Sequence, residues 1–322
     1  MTRKSILCIF SILLSTFLFI PFTLEGVSYN NQLVLELPAQ YLEHVPIKIN
    51  NNAEFTTYAL VENWPGNGTL SSPYIISGYV ISYYTTNLIY IQNCDVYFRV
   101  SNNTLNGIDG RYRGIELYNS SHGIIENNTI FNCHTGIQFW ATSNSTIFNN
   151  LVARNDCSGI YLRDSGNISI INNDISSNNG YGIEIRDSRF CTLSYNTISY
   201  NDEHGILLDS SSENNNVLWN GFTENYLENH SQAYDDGQNN EFMYNYWSEW
   251  TYFDINADGI FDLSYPIEGS ARNEDLYPLI SQFFVIDRIS NKVLTESTLF
   301  AGLMFIMIIL SVLVLLVRKE KF

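Results

Sequence analysis

The sequence predicts an all-β protein that folds as a single parallel β-helix and is followed by a C-terminal transmembrane helix. Two observations predict the β-helix: a repeat of about 23 residues through the middle of the chain, and apolar residues that alternate with polar ones inside each repeat. A run of 19 uncharged residues near the C-terminus predicts the transmembrane helix. The chain has 322 residues, which is enough for one large domain with a substantial core.

The repeat is defined by positions that recur every 22 to 24 residues. Gly–Ile pairs begin at Gly114, Gly136, Gly159, Gly182 and Gly205. A second column consists of the asparagines Asn128, Asn150, Asn173, Asn196 and Asn220. Apolar residues lie two positions beyond each of these isoleucines and on both sides of each asparagine. A unit this short cannot bury its own apolar face, so the pattern predicts units that stack on one another.

Each unit is predicted to form one coil of short strands. Apolar and polar residues alternate with period two, which is the β-strand period, and residues 72–245 show no helical periodicity long enough for a crossover helix. Stacked coils lie about 4.8 Å apart. We therefore expect the asparagine column to form a ladder of side-chain amides in a turn, with its members in the left-handed conformation. The glycines are expected to permit a sharp bend where strands begin.

The sequence predicts a targeting segment at the N-terminal end of the chain and a membrane anchor at the C-terminal end. Residues 1–28 predict a signal peptide or an N-terminal anchor, because Arg3 and Lys4 precede a mostly apolar run. Residues 299–317 predict the transmembrane helix, and the basic segment 318–322 predicts a cytoplasmic tail. The expected topology is type I in the cell membrane, with the bulk of the chain extracellular.

Between these ends, three segments are expected. Residues 29–70 are predicted to cap the N-terminal end of the solenoid, since an uncovered stack would expose strand edges. Residues 71–225 are predicted to form the coils, and residues 226–290 a C-terminal cap that carries an acidic loop.

The charge of the chain excludes one class of partner. Lys and Arg number 16 against 33 Asp and Glu, giving a net charge of −17. Within residues 29–290 there are 10 basic and 30 acidic side chains. A nucleic-acid partner requires basic patches, so none is expected.

Four cysteines lie in the predicted exterior domain: Cys94, Cys133, Cys157 and Cys191. Their spacing matches no zinc motif. An exported chain could oxidise them to disulfides, or they could serve as small buried apolar residues, and the sequence leaves both alternatives open.

Flanking motifs add a family resemblance. The segments are GNGT at 66–69, SPYII at 72–76, NYW at 245–247, DINADG at 254–259, YPI at 265–267 and YPL at 277–279. With the repeat columns, they resemble the NosD-like and carbohydrate-binding or sugar-hydrolase β-helix proteins. The resemblance implies a single-stranded, right-handed, pectate-lyase-like solenoid. It also implies alternative functions: copper-site maturation of nitrous-oxide reductase in some members, and membrane-anchored surface proteins without an assigned activity in others.

Copper binding is not expected from the residues themselves. A copper site needs clustered His, Cys or Met ligands. The five histidines, His44, His122, His134, His204 and His230, are scattered and no two share a repeat column.

The acidic loop predicts a calcium site. Oxygen ligands recur at alternate positions and a glycine follows, the spacing that directs side chains at one hard cation. The predicted ligands are Asp254, Asn256, Asp258, the backbone carbonyl of Ile260, and Asp262. The alternative is an ordinary turn without a metal.

The outward face of the Gly–Ile strands predicts a carbohydrate site. Aromatic side chains beside carboxylates suit pyranose rings, and the candidates are Glu116, Tyr118, Trp140, Tyr161 and Glu184. Asp164 and Asp187 follow on adjacent coils, but neighbouring Arg163 and Arg186 favour a surface salt-bridge ladder over a hydrolytic pair. We therefore expect a surface protein that binds glycans, or one with a structural or adhesive role, without catalysis. A hydrolase, lyase or epimerase acting on polysaccharides is the alternative.

Overall fold

The structure, a computed structural model, describes residues 42–226 and 230–282 as a right-handed parallel β-helix of about seven turns. Its strands, numbered along the chain, form three sheets. The first sheet contains β1 (Leu42–Glu43), β4 (Tyr79–Ser82), β7 (Thr104–Asn106), β10 (Thr129–Phe131), β13 (Leu151–Ala153), β16 (Asp174–Ser176), β19 (Thr197–Ser199), β22 (Gly221–Thr223) and β25 (Tyr246–Trp247).

The second sheet contains β2 (Ile47–Ile49), β5 (Ile89–Gln92), β8 (Ile115–Tyr118), β11 (Ile137–Trp140), β14 (Ile160–Arg163), β17 (Ile183–Arg186), β20 (Ile206–Leu208) and β23 (Ala233–Asp235). The third contains β3 (Tyr74–Ser77), β6 (Phe98–Ser101), β9 (Gly123–Glu126), β12 (Ser143–Phe148), β15 (Gly166–Ile171), β18 (Thr192–Ser194), β21 (Asn216–Leu218), β24 (Glu241–Met243), β26 (Tyr265–Pro266) and β27 (Glu274–Asp275). The predicted β-helix is thereby confirmed.

The repeat columns stack in register to form one continuous core. Ile137 of β11 pairs with Ile115 of β8 on one side and with Ile160 of β14 on the other. These isoleucines are fully buried, as is Phe139 two residues further along β11. Each strand therefore turns one set of alternate side chains into the solenoid and the other set outwards.

The predicted asparagine ladder is present and longer than expected, running from Asn103 to Asn245. The side-chain Oδ1 of Asn150 accepts both the backbone N–H (2.9 Å) and the Nδ2–H (3.0 Å) of Asn128, and this pair of bonds recurs from coil to coil. The prediction that the ladder asparagines themselves adopt the left-handed conformation is wrong. The left-handed residue is the one before each ladder asparagine, such as Asn127 (φ 55°) or Asn149 (φ 54°).

The repeat glycines serve close packing rather than a bend. None of the five has a positive φ. A Cβ built on Gly159 would lie 2.6 Å from Ile175 Cγ2, 2.8 Å from Asn178 Nδ2 and 2.9 Å from the carbonyl oxygen of Gly182. These glycines are therefore needed because neighbouring coils approach too closely for any side chain.

The four cysteines in the described part of the chain are free thiols. Cys94, Cys133 and Cys191 are buried, and each donates its backbone N–H to a polar side chain of the next coil: Ser120, Asn155 and Asn215 respectively. Burial raises the pKa of Cys94 and Cys133 to about 12 and that of Cys191 to about 11. The structure thus corresponds to the buried alternative and not to disulfides.

The coils extend beyond the predicted range 71–225 at both ends. Strands β1 and β2 lie in the segment expected as the N-terminal cap, and β23 to β25 lie in the segment expected as the C-terminal cap. The sequence repeat weakens there because Gln232–Ala233 replaces the Gly–Ile pair while the backbone pairing continues. Helix α1 (Asn52–Val61) packs Phe55 against Tyr74 and Phe98 at the N-terminal end.

The predicted targeting segment 1–28 and transmembrane helix 299–317, with its tail 318–322, lie outside the described residues. Within 42–226 and 230–282, no helix is long and apolar enough to cross a membrane. The anchor and the type I topology therefore stay predictions.

Candidate functional site

The two predicted carboxylates on the outer face of the second sheet are covered by neighbouring side chains. Glu116 is 7% exposed and accepts hydrogen bonds from Asn87 and from Gln138 Nε2, the latter at 3.2 Å. Glu184 is 8% exposed and is held by Ser158 Oγ and by Arg186 Nε at 2.6 Å. Both carboxylates therefore accept hydrogen bonds from neighbouring side chains of the protein, and glycan binding by Glu116 and Glu184 stays a prediction.

Burial also raises the pKa of side chains on this face. It raises the pKa of Glu116, an effect that Arg113 and the Asn87 hydrogen bond oppose. The pKa of Tyr161 is raised as well, by burial and by the negative charge of Glu184. These groups therefore retain protons more readily than exposed side chains do.

The three predicted aromatic side chains do not form a flat platform. The rings of Tyr118 and Trp140 are 5.4 Å apart and nearly perpendicular, at 87°. The guanidinium of Arg163 lies 5.1 Å from the centre of the Trp140 ring, and its charge opposes the rise in the pKa of Tyr161. All three aromatics are half-buried, so they offer edges and partial faces to a ligand.

A solvent-open trough lies immediately beside Trp140, along the turns that join the second sheet to the third. One part has a volume of about 610 Å³ and contains Asp164, Asp187, Arg189 and Phe190. A second part, of about 360 Å³, continues towards Asn52, Asn93, Asp95 and Asn119. Both parts share Ala141 and Ser143, and from Asn93 to Glu213 they span six successive coils, about 24 Å at the usual strand spacing.

The salt-bridge ladder expected beside the trough exists only in part. Arg163 Nε lies 3.4 Å from Asp164, and Trp140 Nε1 donates to the same carboxylate at 2.9 Å. Arg186, however, pairs with Glu184 and not with Asp187. Asp187 is exposed on the trough wall next to the Arg189–Glu213 ion pair.

A cluster around His204, which the scattered positions of the histidines in the sequence did not predict, forms next to the C-terminal segment. His204 Nε2 lies 3.4 Å from Glu268, and His230 Nδ1 lies 3.2 Å from the other oxygen of that carboxylate. Three tyrosine rings surround the imidazole at centroid distances of 4.6 to 6.3 Å: Tyr181, Tyr226 and Tyr234. His204 is 8% exposed, and its Nδ1 has no hydrogen-bond partner.

Burial lowers the pKa of His204, against the opposing hydrogen bond to Glu268. The imidazole is therefore neutral near pH 7. Because Nδ1 is enclosed, a ligand cannot reach it without a rearrangement, so the cluster ties the C-terminal segment to the coils rather than forming an open site.

The carboxylates of the acidic loop accept hydrogen bonds from backbone N–H groups of the same loop. Asp254 accepts from the N–H groups of Asp258 (3.1 Å) and Gly259 (2.9 Å), while Asp262 accepts from that of Ile255 at 2.7 Å. These are the bonds of the ordinary turn given above as the alternative. Calcium binding by Asp254, Asn256, Asp258, Ile260 and Asp262 stays a prediction.

The fold and its surface define a right-handed parallel β-helix protein with an elongated trough parallel to the helix axis. The sequence model of the family described as "Periplasmic copper-binding protein (NosD)" matches residues 48–258, about two thirds of the chain. The chain therefore belongs to the NosD family. No curated protein matches its sequence significantly.

Solved structures with a similar fold include enzymes that act on alginate. The periplasmic alginate epimerase AlgG is 22% identical with a TM-score of 0.39; the match covers 60% of this chain and 48% of the epimerase. An alginate lyase from Paenibacillus sp. is 12% identical with a TM-score of 0.48, covering 64% of this chain and 77% of the lyase. The chain thus spans about half the length of the epimerase, and these likenesses concern the fold alone.

The described residues do not fit a copper centre. In the ranges 42–226 and 230–282, no three His, Cys, Asp or Glu side chains lie close enough together to hold a metal ion. Copper prefers thiolate, thioether and imidazole ligands. The three fully buried cysteines lie apart and, with their raised pKa values, remain thiols at neutral pH.

Proposed function

We propose that this NosD-family chain is an extracellular surface protein that binds an extended glycan along the trough without altering it. The observation that carries the proposal is the continuity of the trough over six coils, with Trp140 at its edge. An elongated, open groove suits a polymer that lies along it, whereas a small ligand is usually enclosed in a compact pocket.

The lining supplies the groups that a sugar chain uses. Asn93, Asn119 and Asn167 offer amides, serines offer hydroxyls, and Phe190, 59% exposed, offers an apolar ring. Trp140 adds a second aromatic surface whose Nε1 is already bonded to Asp164, which fixes the ring beside the groove. Hydrogen bonds to hydroxyls and contacts with aromatic rings together discriminate sugars from other polymers.

The charge of the trough indicates which glycans fit. Asp95, Asp164, Asp187 and Glu213 line it, against Arg189 as the lining cation. A polyuronate would bring further negative charge to this surface and be repelled. The proposed ligand is therefore a neutral or amino-sugar glycan. Alginate, a polyanion, is expected not to bind.

A glycan array that contains neutral, amino-sugar and uronate chains tests the proposal. We expect binding to neutral or amino-sugar chains, and at least tenfold weaker binding for Trp140→Ala and Phe190→Ala. Phe148→Ala is the matched control, because it removes a 37% exposed ring from the third sheet. Binding confined to uronates, or equal binding by all variants, would contradict the proposal.

Hydrolysis is the second candidate, favoured by Asp164 and Asp187 on adjacent coils. Coils stack about 4.8 Å apart, close to the carboxylate separation of about 5 Å in retaining glycosidases. Asp164, however, already pairs with Arg163 and accepts a hydrogen bond from Trp140 Nε1, so it is not free to contact a substrate without losing these partners. Release of new reducing ends from the bound glycan, lost in Asp187→Asn, would favour this second function over binding alone.

A further inference from the structure

The C-terminal end of the solenoid carries an apolar surface that the glycan proposal does not use. Two side chains in the loop after β25 are among the most exposed large apolar residues described, Phe253 at 78% and Ile255 at 85%. We call the terminal surface the exposed set Tyr252, Phe253, Ile255, Leu263, Leu276 and Ile280. Burying such side chains is favourable, so their exposure calls for a partner.

The two segments that carry the terminal surface are bonded to each other. The backbone N–H of Phe261 donates to the carbonyl oxygen of Pro278 (2.9 Å), and that of Ile280 donates to Gly259 (3.2 Å). Within the loop, Asp262 donates to Phe253 (3.0 Å). The exposed apolar residues therefore belong to one fixed piece of structure.

The short segment between this surface and the predicted transmembrane helix indicates what the surface contacts. From Gln282, 16 residues lead to Leu299, the first residue of the predicted transmembrane helix. A segment of that length reaches at most about 53–58 Å when fully extended. An anchored chain would therefore hold the terminal surface within reach of the bilayer at all times.

From this arrangement we propose that the terminal surface rests on the lipid bilayer, with Phe253 and Ile255 inserted among the headgroups. Exposed aromatic and aliphatic side chains suit the membrane interface. The carboxylates of Asp254, Asp258, Asp262 and Glu274 lie in the same two segments and disfavour anionic lipids. The preferred surface is therefore zwitterionic. The inference depends on the predicted anchor and not on the proposed glycan function.

The test uses the full chain in phosphatidylcholine nanodiscs that contain a spin-labelled quencher lipid. A fluorophore is attached at Ile255→Cys in a background in which Cys8 and Cys157 are replaced by Ser, since the three remaining thiols are buried. The matched control is Leu60→Cys, which is 75% exposed on α1 near the other end of the solenoid.

We expect the lipid quencher to reduce emission at Ile255→Cys at least twofold and to leave Leu60→Cys unchanged. Equal quenching at both sites would indicate adsorption without orientation and would overturn the proposal. Protection of Ile255→Cys from both lipid quencher and aqueous iodide would show that a second copy covers the surface. Failure of the full chain to enter nanodiscs would show that residues 299–317 do not anchor it and would likewise overturn the proposal.

Discussion

Asp275 Oδ2 accepts both the backbone N–H (2.9 Å) and the Nδ2–H (3.0 Å) of Asn245. This is the same pair of bonds that each ladder asparagine receives from the preceding coil, so a carboxylate from the C-terminal segment ends the ladder. Asp275 is fully buried and also accepts from Tyr244 N, Tyr277 N and Trp247 Nε1. The Asp275 carboxylate thus accepts five hydrogen bonds at the C-terminal end of the solenoid.

Replacing Asp275 by Ala should destabilise the protein strongly. Five donors would lose their acceptor, and each buried unsatisfied donor costs about 1–3 kcal/mol. We expect a loss of at least about 3 kcal/mol in the free energy of unfolding, measured by urea denaturation. Glu274→Ala, one residue earlier and exposed, is the control and should cost less than about 0.5 kcal/mol. Equal losses would contradict the role of Asp275.

Replacing Asn173 in the middle of the ladder should have a comparable effect. Its Oδ1 accepts twice from Asn150, and its Nδ2 donates to the carbonyl oxygen of Ile147 and to Asn196. Asn173→Ala should lower the free energy of unfolding by about 3 kcal/mol. The neighbouring Asn172 is half-buried with φ 55° and makes one side-chain bond, to Asn149, so Asn172→Gly should cost less than about 1 kcal/mol. The opposite order of stability would show that the ladder contributes little.

A methyl group at Gly159 should not be accommodated. The carbonyl oxygen of Gly182, part of the next coil, would lie 2.9 Å from the new Cβ and cannot move independently. We expect Gly159→Ala to lower the free energy of unfolding by about 1–3 kcal/mol. Gly166→Ala, where the nearest atom lies at 3.3 Å, is the control. Thermal melts of the two variants provide the comparison, and matching melting temperatures would refute the packing argument.

Acid should weaken the attachment of the C-terminal segment through His204. Because burial lowers the pKa of His204 in the folded state, the unfolded chain binds more protons as the pH falls. This contribution to stability is complete above the ordinary pKa of 6.5 and is lost below it. We expect the wild-type melting temperature to fall a few degrees more between pH 8 and pH 5 than that of His204→Phe. Identical pH dependence in the two proteins would show that His204 does not titrate on unfolding.

The interior of the solenoid could be predicted from the sequence because each coil repeats its inward residues at a fixed spacing. Ile115, Ile137 and Ile160 occupy one column in the sequence and one stack in space. The function of the glycines was misjudged, because the contact that excludes a side chain comes from the next coil. That distance depends on how tightly the coils stack, which no local pattern reports.

The outer surface was less predictable because its contacts come from turns of irregular length. Asn87, which covers Glu116, lies before the regular repeats begin. Glu268, which joins His204 to His230, comes from a segment after they end. No repeat position relates these residues, so their proximity follows only from the complete path of the chain.

The most direct test of glycan binding is a calorimetric titration with oligosaccharides of increasing length from the best array ligand. We expect affinity to rise with length until the oligosaccharide spans about 24 Å, the length of the trough, and then to level off. We also expect Trp140→Ala to weaken binding of the longest ligand at least tenfold, about 1.4 kcal/mol. Affinity that is independent of length and unchanged in Trp140→Ala would contradict binding along the trough.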